Sequence, residues 1–368
     1  MKYLKRFNTT SEYESYANSN NFILPNVSSI KVATDKKVVY KKDKYLTFTA
    51  EQANSTIQFS RNSSQNLDVN LKYSIDNGIT WNDYTINEII TLSNIGDSVK
   101  FRGNNLSFSN IKSYYYFIMN GIIKASGDIT SLLNNIGGNV PLNDYCFYSL
   151  FQGCTSLIQA PNLPSKTLAD YCYKFMFFEC TSLTTAPKLP ATNLGIECYA
   201  NMFECTSLTT APKLPATNLA HSCYLRMFNR CKSLTQAPEL PATNLAYGCY
   251  WRMFGNCTSL IQAPELPGTT LAENCYHEMF TGCTSLIQAP ELPATELVTE
   301  CYGLMFEDCT NLKYIKAMFI TTPSNTYTRD WVNGVPSGGT FIKNSIALWN
   351  AIGNNSVPSG WTIQTAAA

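Results

Sequence analysis

The sequence predicts a mixed β and α/β architecture, in which an N-terminal antiparallel β-sandwich precedes a seven-repeat solenoid with a C-terminal cap. The main observation is a segment that recurs in near-identical form seven times, starting at Cys146, Cys172, Cys198, Cys223, Cys249, Cys275 and Cys301. The spacing is 26 residues, apart from one step of 25. A period of this length is typical of solenoids, whose units bury their apolar faces on their neighbours. A second observation is that short runs rich in β-forming residues precede the repeats.

The composition excludes some partners. The chain of 368 residues has a net charge of +1 and only 14% charged residues, so we expect it to bind neither nucleic acid nor an anionic membrane. No stretch approaches the roughly 20 apolar residues of a membrane span. The first 20 residues also lack an apolar signal core, which predicts synthesis and folding in a cytoplasm. The 22 Tyr and 19 Phe suit a surface that binds carbohydrate-rich material, although many ordinary β proteins share this composition.

Changes in pattern along the chain predict five regions. Residues 1–28 form a polar N-terminal arm or attachment segment, which is either free or docked onto another protein. Residues 29–126 form the β-sandwich, with a hairpin turn at Asp76-Asn77-Gly78 in which Gly or Asn supplies the positive φ. Residues 127–139 are a linker, residues 140–316 are the solenoid, and residues 317–368 are the C-terminal capping region. Strands are predicted in the sandwich at 38–40, 45–49, 57–59, 69–74, 99–102 and 114–123.

Each repeat has two predicted elements. The Cys-Tyr-x-x-Met-Phe stretch has apolar residues at helical spacing and predicts a helical or 3₁₀ segment. A short strand should begin at the leucine three residues after the second Cys, for example Leu183, and end at two prolines such as Pro187 and Pro190.

The 14 Cys all lie in the repeats, in two columns. The second column is predicted to hold Cys154, Cys180, Cys205, Cys231, Cys257, Cys283 and Cys309. Such columns are packing positions, so we expect reduced thiols in the core; disulfides between adjacent repeats are the alternative. No metal site is expected, because the Cys spacing does not match zinc motifs and the two His, His221 and His277, fall in different columns. Both His are predicted to be solvated turn residues.

The repeat Cys-Tyr-x-x-Met-Phe-x-x-Cys-Thr-Ser-Leu-Thr-x-Ala-Pro-x-Leu-Pro-Ala-Thr-x-Leu-Ala resembles the BspA-type, or Treponema-type, leucine-rich repeat. The resemblance covers about half of the chain and implies a leucine-rich-repeat solenoid. The first Cys is usually Ile or Leu in that family. Segments 338–343 and 357–363 resemble the piece that closes such arrays. Members are mostly cell-surface adhesins of anaerobic bacteria.

Polar residues that point away from the core predict a binding surface. One column combines Gln with Thr, and a second changes from Lys to Glu along the array. The candidate binding residues are Gln159, Thr185, Lys188, Thr210, Lys213, Gln236, Glu239, Gln262, Glu265, Gln288 and Glu291. A glycan or an extended protein would suit this strip; a solvated face maintained by repeat duplication is the alternative.

No enzyme is predicted. The sequence has no phosphate-binding loop, no nucleophile elbow and no zinc-protease motif, and it predicts no cofactor. The Glu239, Glu265 and Glu291 carboxylates lack a partner acid and a cleft for glycosidase chemistry.

The leader, with Leu4-Lys5-Arg6-Phe7-Asn8, Tyr13 and Leu24-Pro25-Asn26, resembles the opening of virion proteins from crAss-like phages of gut bacteria. This resemblance implies a phage virion structural protein, either a head or tail fibre or a capsid decoration, located on the virion surface. Its N-terminal region would contact other virion proteins, its repeats a host-surface or mucosal glycan or protein, and it would form a homo-oligomer such as a trimer. The alternatives are a BspA-like adhesin on the bacterial cell surface and an intracellular scaffold.

Overall fold

The computed structural model describes residues 6–7, 38–39, 44–62 and 69–367. Contacts divide the chain into two units, Met1–Asp43 and Lys44–Ala368. In the first unit, strand β1 (Arg6–Phe7) pairs in antiparallel fashion with β2 (Val38–Val39). Most of the predicted arm at residues 1–28 lies outside the described residues.

Two sheets open the second unit. A six-stranded sheet has the order β11-β10-β3-β8-β5-β6, and a three-stranded antiparallel sheet has the order β7-β4-β9. The strands are β3 (Leu46–Ala50), β4 (Ser55–Arg61), β5 (Leu71–Ser74), β6 (Asn82–Asp83), β7 (Ile89–Leu92), β8 (Ser98–Gly103), β9 (Tyr115–Asn120), β10 (Ile123–Ser126) and β11 (Leu157–Gln159). The sheets meet through aromatic rings, since Phe117 of β9 lies 4.9 Å from Phe48 of β3 and 5.6 Å from Phe101 of β8. Alternation of apolar residues along the strands therefore places these rings between the sheets.

The hairpin between β5 and β6 turns at the predicted residues. Asn77 and Gly78 have φ of 62° and 89°, the left-handed conformation of both central residues of a type I′ turn, within a loop that runs from the paired Tyr73 to Asn82. The Asp76 carboxylate accepts hydrogen bonds from the backbone and hydroxyl groups of Thr80, which fixes the turn.

The predicted fold class is wrong. The described residues contain one helix, α1 (Ser131–Asn134), and their strands form several small sheets, none of which runs through the repeats as the sheet of an α/β leucine-rich-repeat solenoid. Between β11 and β12 (Tyr314–Ala317) the described chain has neither helix nor extended strand. The two prolines in each of the intervening repeats lack a backbone donor, so the segments that were predicted to be strands there form only isolated parallel bridges, such as Thr185 with Thr210.

The stretch predicted to be helical is a chain of tight turns. In the second repeat the N–H groups of Met176, Phe178 and Cys180 donate to the carbonyl three residues earlier, at 3.1 to 3.2 Å. Every fourth residue has left-handed φ, for example Tyr171 at 59°, Phe175 at 57° and Glu179 at 58°. A left-handed residue interrupts helical hydrogen bonding, so no helix can propagate here.

The alternate N–H groups of the same segment join neighbouring repeats. Tyr173, Phe175 and Phe177 donate to the carbonyls of Cys198, Ala200 and Met202, at 2.9 to 3.0 Å. Within this frame the Tyr rings form one stacked column, with centroids 5.8 to 6.0 Å apart from Phe147 to Tyr302. The Phe rings form another, 5.4 to 5.8 Å apart from Phe151 to Phe306. The turn segments thus pair through their backbones and pack through their rings.

The cysteine columns are buried, with one correction. Thirteen thiols are buried, but Cys205 is only half-buried. Cys205 lies in the repeat that is one residue shorter, and its φ of 64° matches Glu179 and Arg230 in the neighbouring repeats instead of their Cys. Thr206 takes the core position instead, with its side chain 3.3 Å from the sulfur of Cys231. The prediction of Cys205 as a member of the second column is therefore wrong, because the deletion moves it by one place.

A three-stranded parallel sheet follows the last repeat. It is formed by β12, β13 (Thr340–Lys343) and β14 (Thr362–Thr365). The Trp331 ring is fully buried 6.0 Å from Phe306, the last ring of the Phe column. The described part of the chain contains no helix long and apolar enough to cross a membrane.

Candidate binding surface

The predicted binding residues lie together in a surface that we call the bridge face. Parallel bridges connect Thr185, Thr210, Gln236, Gln262 and Gln288 in successive repeats. The bridge face consists of Gln159, Thr185, Lys188, Thr210, Lys213, Gln236, Glu239, Gln262, Glu265, Gln288 and Glu291, of which all but Gln159 are exposed.

Two residues of the bridge face are held by neighbours. The Gln159 amide nitrogen donates to the Ala125 carbonyl at 3.1 Å. This hydrogen bond joins β11, which lies in the first repeat, to β10. The Glu291 carboxylate pairs with the Lys316 ammonium at 2.9 Å. The binding role of this face remains a prediction.

A second surface is formed by the residues in which the repeats differ. Its members are the two x-x pairs of Cys-Tyr-x-x-Met-Phe-x-x-Cys and the pair that precedes the first Cys. This turn face consists of residues 144–145, 148–149, 152–153, 170–171, 174–175, 178–179, 196–197, 200–201, 204–205, 221–222, 225–226, 229–230, 247–248, 251–252, 255–256, 273–274, 277–278, 281–282, 299–300, 303–304 and 307–308. The intervening Cys-Tyr and Met-Phe pairs hardly change and are buried.

The backbone explains why these pairs can vary. The second residue of each pair has left-handed φ, as at Arg226 (51°) and Arg230 (60°). The N–H of that residue donates to the first residue of the equivalent pair in the next repeat, as from Arg226 to Trp251 at 2.9 Å and from Arg230 to Gly255 at 2.7 Å. Since these contacts use only the backbone, the side chains can change without loss of the frame. Most residues of these pairs are exposed or half-buried, and together they form the turn face.

The N-terminal end of the turn face carries an aromatic cluster. Each ring is half-buried, and centroids of neighbouring rings are 4.7 to 6.0 Å apart. The cluster consists of Tyr114, Tyr116, Tyr145, Tyr148, Tyr171, Phe175 and Phe178. It joins the sheet region to the first two repeats.

Charged groups surround the aromatic cluster. Burial, together with the negative charges of Asp144, Glu197 and Asp170, raises the pKa of Tyr145 above its ordinary value. The Lys174 ammonium lies 5.5 Å from the Tyr171 ring centroid and pairs with Glu197. Lys174 is thus neutralised, and the rim of the cluster is acidic.

The C-terminal half of the turn face contains a compact charged network. The Arg252 guanidinium pairs with Glu278, and Trp251 Nε1 donates to the same carboxylate at 3.4 Å. Although burial opposes ionisation of Glu278, the hydrogen bond from His277 and the charge of Arg252 lower its pKa to about 2. These carboxylate contacts are satisfied within the protein.

His277 is buried, so its prediction as a solvated turn residue is wrong. Only 4% of it is exposed, since the Trp251 ring packs edge-on against it at 5.1 Å. Its Nε2 lies 3.3 Å from Glu278, and its Nδ1 lies 3.2 Å from Glu300 without a hydrogen bond. Both ring nitrogens thus face carboxylates and leave no space for a reacting ligand. His221 is exposed as predicted and stacks on Tyr247 at 4.6 Å.

The thiols have the wrong environment for nucleophilic chemistry. Burial raises the pKa of Cys146, Cys249 and Cys283 to about 12, and it raises the others as well. Neutral thiols are poor nucleophiles and poor metal ligands. The described residues contain no group of three or more His, Cys, Asp or Glu that could hold a metal ion.

The turn face was missed from the sequence, although a signal for it exists. A helical interpretation of Cys-Tyr-x-x-Met-Phe depends on the constant apolar residues and makes no use of the variable pairs between them. Comparison of the repeats with one another would have found these pairs, since they change where the rest of the repeat is nearly constant.

No family model matches this chain, and neither any curated protein nor any solved structure does so. The two resemblances described above therefore remain predictions.

Proposed function

We propose that this protein is a non-enzymatic recognition protein whose turn face binds the ligand. The observation that supports the proposal is that variation between the repeats is greatest on the turn face. Binding proteins combine a constant frame with side chains that are free to differ, as antibody loops do.

The composition of the turn face agrees with this role. Its exposed or half-buried residues include Tyr, Trp and Arg, the side chains most enriched where binding energy concentrates. The bridge face instead alternates between Thr and Gln and between Lys and Glu. A solvated surface needs no more variety than this, so we assign the ligand to the turn face.

The test compares matched changes on the two faces. The full chain, labelled with a fluorophore, is applied to mucin-coated plates and to intact gut bacteria. The turn-face variant His221→Ala/Tyr247→Ala removes two exposed side chains, and Gln236→Ala/Glu239→Ala removes two from the bridge face. We expect weaker binding for turn-face variants and unchanged binding for the bridge-face pair; the reverse order would overturn the assignment.

For the location of the protein, we propose a phage virion, where it serves as a fibre or capsid decoration. Support comes from the leader resemblance, whose residues lie largely outside the described part of the chain. Proteomics and immunogold labelling of purified phage particles and of uninfected bacteria test this location. Label on particles agrees with it, whereas label on the envelope of uninfected cells identifies a bacterial surface adhesin instead.

A further inference from the structure

We propose that the aromatic cluster binds an uncharged glycan chain. This inference rests on the proposed function and specifies the chemistry of one end of the turn face. Its central residues are Tyr145, Tyr148, Tyr171 and Phe175, with Asp144 and Asp170 on the rim.

Several ring faces of the cluster are in contact with other groups of the protein. Tyr145 and Tyr171 stack at 4.7 Å with an interplanar angle of 15°. The Tyr148 ring meets Phe175 edge-on at 5.7 Å, and the Lys174 ammonium lies 5.4 Å from the Phe175 centroid. These contacts reduce the open apolar area of the half-buried rings, which makes the phenol hydroxyls more important for binding. An apolar anchor of a protein partner is therefore less well matched to the cluster than a ligand with many hydroxyl groups.

The polar groups suit a polyhydroxylated ligand. Within the described part of the chain, the Tyr145 and Tyr171 hydroxyls have no hydrogen-bond partner. The Asp144 and Asp170 carboxylates each accept one backbone N–H from the next repeat, at 3.1 and 2.7 Å, which fixes their positions. Carboxylate oxygens can accept several hydrogen bonds, so acceptor capacity remains for sugar hydroxyls.

The charge of the cluster selects against acidic glycans. Asp144 and Asp170 carry no paired cation among the described residues, and the one nearby ammonium, Lys174, is paired with Glu197. Sialylated or sulfated chains would meet uncompensated like charge. An uncharged glycan meets no such repulsion.

The geometry also pre-arranges the site. Tyr145 and Tyr171 occupy equivalent positions in adjacent repeats, whose backbones are hydrogen-bonded from Tyr145 to Asp170 at 2.8 Å. Side chains held by packing lose little entropy when a ligand binds. A glycan chain that lies along the first two repeats would meet a tyrosine hydroxyl and an aspartate carboxylate in each of them.

The test uses the full chain and a variant that removes only two hydroxyl groups. Immobilised cellohexaose, chitohexaose and mannohexaose serve as uncharged probes, and 3′-sialyllactose and a heparin hexasaccharide serve as acidic probes. We expect at least one uncharged probe to bind, and Tyr145→Phe/Tyr171→Phe to weaken it about tenfold or more, since two hydrogen bonds are lost. The ring packing is retained in this variant, and its thermal unfolding should match that of the parent. Tyr327→Phe, at a half-buried tyrosine that belongs to neither the turn face nor the aromatic cluster, is the matched control and should bind as the parent does.

Three outcomes contradict the inference: selective binding of the acidic probes, binding that is unaffected by the double Phe change, or binding of none of the uncharged probes. The proposed function is judged separately with mucin and intact cells. If His221→Ala/Tyr247→Ala weakens binding to mucin or cells while Tyr145→Phe/Tyr171→Phe does not, the result supports ligand binding by the turn face and contradicts the glycan site. If neither variant changes binding to cells or mucin, the result contradicts both proposals.

Discussion

The hydroxyl oxygen of Thr206 lies 3.3 Å from the sulfur of Cys231, in the position that a thiol occupies in the other repeats. The same hydroxyl donates to the Phe203 carbonyl at 2.8 Å. The core of the shorter repeat is thus completed by a threonine, and its own thiol is displaced to the turn face.

Cys205 should therefore be the reactive thiol of the folded protein. Burial and the charge of Glu204 raise the pKa of Cys205, whereas the Arg230 side chain lowers it. Cys205 is half-buried, while the other thirteen thiols are buried. Iodoacetamide applied to the native chain should label Cys205 first, as read by peptide mass spectrometry. Cys205→Ser should remove this rapid phase. Equal labelling of Cys231 would show that the columns are open to solvent.

Replacement of a strained side chain by glycine should stabilise the protein. Glu179 is exposed with φ of 58°, while Gly153 and Gly282 occupy the equivalent position at 71° and 70°. Since left-handed φ costs a side-chain residue about 1 kcal/mol or more, Glu179→Gly should raise the free energy of unfolding by roughly this amount. Urea denaturation measures the change.

The matched control for that change is Thr184→Gly, because Thr184 is exposed in the same repeat and has no left-handed φ. Glycine there should lower stability by a few tenths to about 1 kcal/mol through the entropy of the unfolded chain. Equal effects at the two positions would contradict the role of the left-handed turns.

The charged network should contribute to stability above acid pH. The pKa of Glu278 is lowered from 4.5 to about 2 in the folded protein, so the folded state favours the carboxylate. This stabilisation is complete above the unfolded value near 4.5 and is lost as the pH falls from there towards 2. Glu278→Gln should therefore destabilise the chain at about pH 6 and much less at about pH 2.

Urea midpoints of parent and variant across this range provide the measurement. Glu265→Gln, which changes an exposed carboxylate of the bridge face, is the control and should show no such convergence. A constant difference between parent and Glu278→Gln at every pH would mean that packing, and not ionisation, accounts for the effect.

The stacked phenylalanines should be among the most sensitive core positions. Phe254 is fully buried between Phe228 and Phe280, each 5.7 Å away. Phe254→Ala leaves a cavity within the column and should cost about 3–5 kcal/mol of the free energy of unfolding. Phe254→Leu, which retains more volume, should cost less. Similar losses for both variants would argue that the ring geometry matters more than the volume.

Local patterns in the sequence predict the strands of the first sheets and the register of the repeats. The predicted strands at 57–59, 69–74 and 99–102 overlap β4, β5 and β8, since alternation of β-forming residues is a local property. The period likewise predicts the buried Cys, Met and Phe columns, because a residue repeated in every unit meets its own copy in the next.

How each repeat folds, and on which face its variable pairs lie, depends on contacts between the repeats. Apolar spacing that suits a helix also suits turns with two residues inward and two outward, and backbone bonds between repeats select the turns. The displacement of Cys205 and the burial of His277 depend on neighbouring repeats, which lie about 26 residues away in sequence. A local sequence pattern cannot reveal these contacts. The left-handed turns are stable only when the next repeat accepts hydrogen bonds from their N–H groups.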